Sequence, residues 1–207
     1  MSDIQVQPDH YSDLSYDSKE RFISYWHQIK QIKDSGCNTA LEIGVGNGFV
    51  SDYLKNKGFD ITTFDIDERL NPDIVGSVLN LPFKENEFEL ITCFEVLEHL
   101  PYEDVTLALT QLKKVASKKV IISLPDRTLT YKFLVKLPII KLKSFMISIP
   151  DFLVKEHKFD GQHYWELGKK GYSVADFKKL LRNMGFDIIK SYQIFEVPSH
   201  HFFVLEL

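Results

Sequence analysis

Residues 39–48 read TALEIGVGNG. A short apolar run over 39–43 carries one acid, Glu42, near its end, and Gly44, Gly46 and Gly48 follow at every second position. The continuation, FVSDYLKNKG, has helical spacing, with Phe49, Val50, Tyr53 and Leu54 expected on one face and Gly58 as the stop. The stretch predicts a strand, a tight glycine turn and a helix. Glycine lets a ligand approach the backbone because no Cβ intervenes, and the N–H groups at a helix start point at whatever sits there.

The glycine spacing decides between ligands. A dinucleotide fingerprint needs its third glycine where Phe49 stands, and a phosphate loop needs a Gly-Lys-Ser/Thr that does not follow. The pattern is instead E-x-G-x-G-x-G. An acid at Glu42 repels a pyrophosphate and suits a cationic ligand with an ammonium group, such as S-adenosylmethionine (SAM), which also carries a sulfonium. The competing reading is a turn that merely joins strand to helix. The stretch resembles motif I of class I SAM-dependent methyltransferases, and further matches follow in order over about residues 36–124. That resemblance implies an α/β, Rossmann-like fold. Its seven-stranded, mostly parallel sheet has the order 3-2-1-4-5-7-6 with an antiparallel edge strand, helices on both faces, and here a lid insertion after the fifth strand.

The expected second strand, within residues 59–67 (FDITTFDID), ends at Asp65, 21 positions after Gly44. A strand-end acid at that distance can accept hydrogen bonds from ribose hydroxyls. The resemblance gives Asp65 that role and sets Ile66 against the adenine; Asp67 competes, or caps the short helix that follows. Residues 73–79 suggest a third strand. The phrase LPFKENEFELITCFEVLEHL, 81–100, resembles the group that includes the ubiquinone and menaquinone methylases. In that group an Asp meets the adenine amine four residues before LPF; here Ser77 stands there, and the backbone of Val78 can serve instead. The fourth strand, 88–94, delivers Phe94 and the residues to His99 to the ligand crevice. A helix over 102–116, a fifth strand ending at Leu124, a helix over 173–185 capped by Ser173 and Gly185, and two closing strands complete the pattern.

The chain has 207 residues, a formal net charge of −4 and two cysteines, Cys37 and Cys93. One domain over 1–207 is expected, without a general attraction to nucleic acid and without a disulfide or zinc framework. The polar N-terminus and the lack of a long apolar run point to a cytoplasmic protein with no spanning helix. Residues 1–15 read as loose. Residues 18–35 read as an N-terminal cap helix with Phe22, Trp26, Ile29 and Ile32 or Lys33 inward, either over the cofactor or against the sheet.

Residues 126–165 exceed a plain connection. Between Arg127 and Ile149 stand Arg127, Lys132, Lys136, Lys141 and Lys143 and no acid, alternating with apolar residues and broken at Pro138 and Pro150. Two readings stay open: a substrate lid, with peripheral membrane contact through 127–150, or a cap that completes the core.

Methyl transfer needs positioning, and an oxygen or nitrogen acceptor also has a proton to lose. Glu95, Glu98 and His99 would share one face of a helix-like turn. In ubiquinone O-methyltransferases and small-RNA 2′-O-methyltransferases, Glu-x-x-Glu-His binds a divalent metal with a later histidine. The resemblance makes Glu95, Glu98, His99 and His163 a candidate Mg²⁺ or Mn²⁺ set, and makes Glu95, His99 and His163 the catalytic candidates. His157, His200 and His201 read as surface histidines without a function. The expected activity is SAM-dependent O-methylation of a small-molecule, sugar or lipid-linked acceptor. The alternatives are an RNA 2′-O-methyltransferase, a non-catalytic SAM-binding protein and a nicotinamide-dependent oxidoreductase.

Overall fold

The computed structural model describes residues 4, 6–13, 15–138, 140–149 and 155–207. Within the insertion, Ile139 and Pro150 of the sequence reading lie outside the described residues. Seven strands form one sheet: β1 (Thr39–Ile43), β2 (Asp60–Asp65), β3 (Ile74–Val75), β4 (Phe88–Phe94), β5 (Ala116–Pro125), β8 (Asp187–Gln193) and β9 (His200–Glu206). Their order is β3-β2-β1-β4-β5-β9-β8. The first five are mutually parallel, while β9 runs antiparallel to both β5 and β8. The antiparallel strand thus lies one place in from the edge. With β6 (Thr130–Leu137) and β7 (Ile140–Ser148) set aside as a separate antiparallel hairpin, the order is the expected one.

Helices cover both faces. On one, α4 (Val105–Val115) and α5 (Val174–Asn183) bury Val105, Leu109, Leu112, Phe177 and Leu181 against Leu41, Ile91 and Ile122. On the other, α2 (Lys19–Asp34) and α3 (Phe49–Lys55) bury Tyr25, Ile32, Val50 and Leu54 against Ala40, Leu90 and Phe202. A further helical turn, α1 (Asp9–Ser12), lies in the segment expected to be loose.

Several expectations need correction. On α2, Ile29 and Ile32 of the expected face do go inward, but Phe22 and Trp26 are 46% and 57% exposed, and Ser24, Tyr25, Gln28 and Gln31 are buried beside the isoleucines. The reason is polar. Ser24 Oγ lies 2.9 Å from His200 Nδ1, and Gln31 Nε2 donates to Tyr192 Oη at 2.9 Å, so the helix seats a hydrogen-bonding stripe on β8 and β9. In α3 only Val50 and Leu54 of the expected face go inward; Phe49 stacks on Tyr25 with ring centroids 4.8 Å apart. The third strand is only two residues long, and β5 runs on through Pro125, which pairs with His200.

Candidate functional site

A cavity opens at the carboxyl ends of β1, β2 and β4, where open α/β sheets bind ligands. Glu42, Gly44, Gly46, Asp65, Ile66, Ser77, Val78 and Phe94 all line it, together with Glu95 and His99. Gly48 does not. It N-caps α3 at φ 72° and borders a second, shallower depression beside Asp52 and Lys55. Its N–H donates to the Val45 carbonyl at 3.0 Å, so its part is to close the turn.

The glycine turn is held by Asp65. Val45 N–H donates to Asp65 Oδ2 at 2.8 Å and Asp67 N–H to Oδ1 at 2.9 Å, which locks the end of β2 to the loop after β1. Burial nevertheless raises the Asp65 pKa, against those backbone bonds. Asp67 also lines the cavity, but its carboxylate is engaged: it caps the turn Glu68–Leu70 and pairs with Arg69 at 2.8 Å. Gly44 has φ 84°, and a Cβ there would stand 2.4 Å from Val96 Cγ2. Glu42 is buried, and burial lifts its pKa to about 8 although Ser51 works in the other direction. Its Oε2 has no hydrogen-bond partner among the described residues. A buried carboxylate oxygen left unsatisfied on a cavity wall is costly unless a cation or donor meets it, so the site fits a ligand ammonium.

Further lining comes from the segment expected to be loose and from the cap helix, for which lying over the cofactor was one of the two open readings. Tyr11, Tyr16, Arg21, Tyr25 and Gln28 line the cavity. Arg21 lies 4.2 Å from the Tyr16 ring centre, and Tyr11 meets Tyr16 edge to face at 5.2 Å. The available signal was the spacing of Arg21, Tyr25 and Gln28 along a single helical stripe.

Beyond Phe94 the chain turns sharply. Glu95 sits at φ 53°, and Leu97–His99 is a 3-10 turn rather than a helix. Glu95 therefore does not share a face with Glu98 and His99. Its Oε1 accepts from Ser123 Oγ at 2.7 Å, and its Oε2 lies 3.9 Å from His200 Nε2. Glu98, His99 and His163 do come together, with ligand atoms within 4.8 Å of one another. Segment 160–166 is tied to the turn by Tyr164 N–H to the Glu98 carbonyl at 2.9 Å and by Trp165 Nε1–H to the Leu97 carbonyl at 3.2 Å. Glu98 is fully buried, with no hydrogen-bond partner for either carboxylate oxygen among the described residues, and burial followed by the Glu95 charge pushes its pKa well up. That orphaned carboxylate beside two imidazoles is a donor set that fits a divalent cation.

His99 has a fixed tautomer. Its Nδ1 lies 3.0 Å from the Gln162 carbonyl, which can only accept, so Nδ1 carries the proton and Nε2 is the basic nitrogen. Burial, then the neighbouring His163, lowers its pKa. His163 Nδ1 lies 3.1 Å from Glu166 Oε1, which also accepts from Arg127 Nε at 3.1 Å. Burial alone would raise the Glu166 carboxyl, but His163 and Arg127 outweigh it and hold it at about 2. His157, His200 and His201, expected as surface groups, are instead engaged inside the fold. His157 Nε2 bonds the His163 carbonyl at 2.9 Å, His200 bonds Ser24, and His201 Nδ1 lies 2.9 Å from buried Asp126.

A parallel sheet with an antiparallel β9, a glycine turn after β1 and an acid closing β2 together define a class I methyltransferase domain of the SAM-dependent type. The chain belongs to the family described as "Methyltransferase domain", whose model matches residues 18–191. It is 27% identical over 168 residues to an uncharacterised protein of Methanocaldococcus jannaschii, covering 81% of this chain and 60% of that protein. It is also 27% identical over 88 residues to the ubiquinone biosynthesis O-methyltransferase of Hydrogenovibrio crunogenus, covering 35% of this chain and 36% of that protein. The chain thus spans 60% or less of these two relatives. Its fold is similar to that of magnesium protoporphyrin IX methyltransferase from Synechocystis PCC 6803 with bound SAH, at TM-score 0.61 and 17% identity over 90% of this chain and 82% of that one.

Proposed function

We propose that the protein transfers the SAM methyl group to an oxygen of a small-molecule, sugar or lipid-linked acceptor. The observation that carries this reading is the placement of His99: its tautomer is set by Gln162, its imidazole is kept neutral by burial, and it shares a cavity with Glu42 and Asp65. SAM supplies an electrophilic methyl group. Glu42 would receive the ammonium, Asp65 the ribose hydroxyls, and Ile66, Ser77, Val78 and Phe94 the adenine side. The glycine turn lets the methionine chain lie against the backbone. His99 Nε2 would take the proton of an acceptor hydroxyl whose oxygen bonds the methyl carbon as the carbon–sulfur bond breaks and SAH leaves as the neutral thioether. Glu166 and Arg127 act one step back, by orienting His163. The buried, free thiols Cys37 and Cys93 suit a reducing compartment such as the cytoplasm.

A second reading rests on the unpartnered Glu98. Glu98, His99 and His163 would hold Mg²⁺ or Mn²⁺, which lowers the pKa of a bound hydroxyl. Glu95 is left out of that set by its bond to Ser123.

Calorimetric titration of the demethylated product, S-adenosylhomocysteine (SAH), tests the cofactor. We expect about micromolar affinity, falling at least about tenfold in Asp65→Ala. Labelled SAM offered with phenols, catechols, sugars and amines then tests the acceptor atom, with His99→Gln expected to lower turnover about 10²–10⁴-fold. Failure to bind either SAM or SAH sinks the assignment; transfer to amines alone sinks the choice of oxygen. Manganese titration with Glu98→Gln separates the second reading, which predicts metal binding in wild type and its loss in the variant.

A further inference from the structure

Among the described residues, none from 126–165 lines the cavity. The insertion instead forms a two-stranded hairpin from the carboxyl end of β5, the sheet edge at which Glu95 and His99 sit. Its register places Tyr131 opposite Ile147, Phe133 opposite Phe145 and Val135 opposite Lys143. By strand alternation these residues share one face. Its five apolar members are 41% to 62% exposed, and Phe133 stacks on Phe145 with ring centroids 5.0 Å apart and an 11° tilt. Leu134 and Leu142 protrude from the other side, also exposed. An isolated two-stranded ribbon is marginal in water; on its other face Lys132 reaches the domain, donating to the Glu196 carbonyl at 3.2 Å, while the face of Phe133 and Phe145 stays exposed among the described residues.

Charge selects the cover. The chain is net −4, yet residues 127–149 hold five cations and no acid. We infer that the face of the hairpin bearing Tyr131, Phe133, Val135, Phe145 and Ile147 docks on an anionic lipid bilayer, with Lys143 of that face, and Lys136 beside the hairpin turn, among the headgroups. Aromatic rings settle at the interface between headgroups and acyl chains, aliphatic tips enter the acyl boundary, and lysines stay with anionic phosphates. A nucleic acid would meet the lysines but would offer little to Val135, Leu142 and Ile147. A second copy of a net-acidic chain could cover the apolar face but not through this basic strip alone. Docking here would bring the edge that carries His99 to the membrane, where a lipid-linked acceptor resides. The docking itself does not depend on which acceptor is methylated.

The test uses the full chain with vesicles of phosphatidylcholine, pure or with about one third phosphatidylglycerol. Co-sedimentation is read beside SAH titration and size-exclusion chromatography of the same sample, so a failed cofactor reading and a failed docking reading are told apart. The expected result is partition to anionic vesicles about tenfold or more above neutral ones, weakened by high salt. Partition should fall about tenfold in Lys136→Glu/Lys143→Glu and in Phe133→Ser/Phe145→Ser, with SAH affinity retained. The charge pair keeps the test valid if the serine pair weakens the hairpin. Three results overturn the proposal: no partition to either vesicle, partition unchanged in both variants, or a dimer or single-stranded RNA complex that uses these residues while vesicles are ignored.

Discussion

At the scale of single residues, the turn after β1 has no room for a side chain. Gly44 combines φ 84° with a prospective Cβ contact of 2.4 Å to Val96 Cγ2. Val96 is β-branched and stiff at χ1, so it cannot simply swing away. Gly44→Ala is therefore expected to cost about 1–3 kcal/mol from backbone strain plus overpacking. It should also weaken SAH by moving Val45, whose N–H anchors Asp65. Adding Val96→Ala should relieve the overpacking but not the positive φ, recovering only part of the thermal stability. Full recovery would mean that φ costs nothing there, and no loss in the single variant would show that the turn is looser than its geometry. The sequence made this residue legible, because glycines at every second position after an acid have few other uses. The part of Gly48 was not legible: alternation cannot distinguish the glycine facing a ligand from the one that caps α3.

At the scale of elements, the chain was readable wherever local pattern and long-range packing agree. The apolar run 88–94 is β4, Ser173 does cap α5 with its hydroxyl accepting from the Asp176 N–H, and Ser18 caps α2 in the same way through Arg21. The inward face of α2 follows the apolar periodicity at Ile29 and Ile32 and departs from it at Phe22 and Trp26, where polar pairing sets the helix rotation. Its buried Ser24 and Gln31 answer His200 and Tyr192, which lie more than 150 residues further along the chain. Tyr25→Ala should cost about 3 kcal/mol by removing a buried ring stacked on Phe49. Trp26→Ala, on the exposed side, should stay within about 0.5 kcal/mol. Equilibrium denaturation of the two variants checks it, and the reverse ranking would restore the apolar face.

At the scale of the whole molecule, the site is assembled from distant parts of the chain. His163 reaches His99 across 64 positions because Tyr164 and Trp165 are bonded to the turn after β4, and no local pattern announces such a tie. The same assembly arranges buried acids in two opposed sets, and their sum sets the pH profile of stability. Glu42, raised from 4.5 to about 8, and Glu98, raised well above 4.5, favour the folded state while neutral. Their contribution is fully present below 4.5 and is lost as pH rises, for Glu42 through about 8. Glu166, held at about 2, works the other way: its contribution is present above 4.5 and lost as pH falls through about 2. Asp126 has the same sign; burial raises it, but bonds from His201 and Thr128 leave it below 3.8. The ligand-free protein is therefore expected to be most stable near about pH 5, and to lose on the order of 2–4 kcal/mol towards about pH 8. Glu42→Gln should flatten that alkaline slope. Saturating SAH should also flatten it in wild type, because its ammonium pairs with the carboxylate that otherwise ionises alone, and should not do so further in the variant. Thermal melts across pH for both proteins, with and without SAH, provide the measurement; a slope in Glu42→Gln equal to wild type would remove Glu42 both as the source of the pH dependence and as the partner of the ammonium.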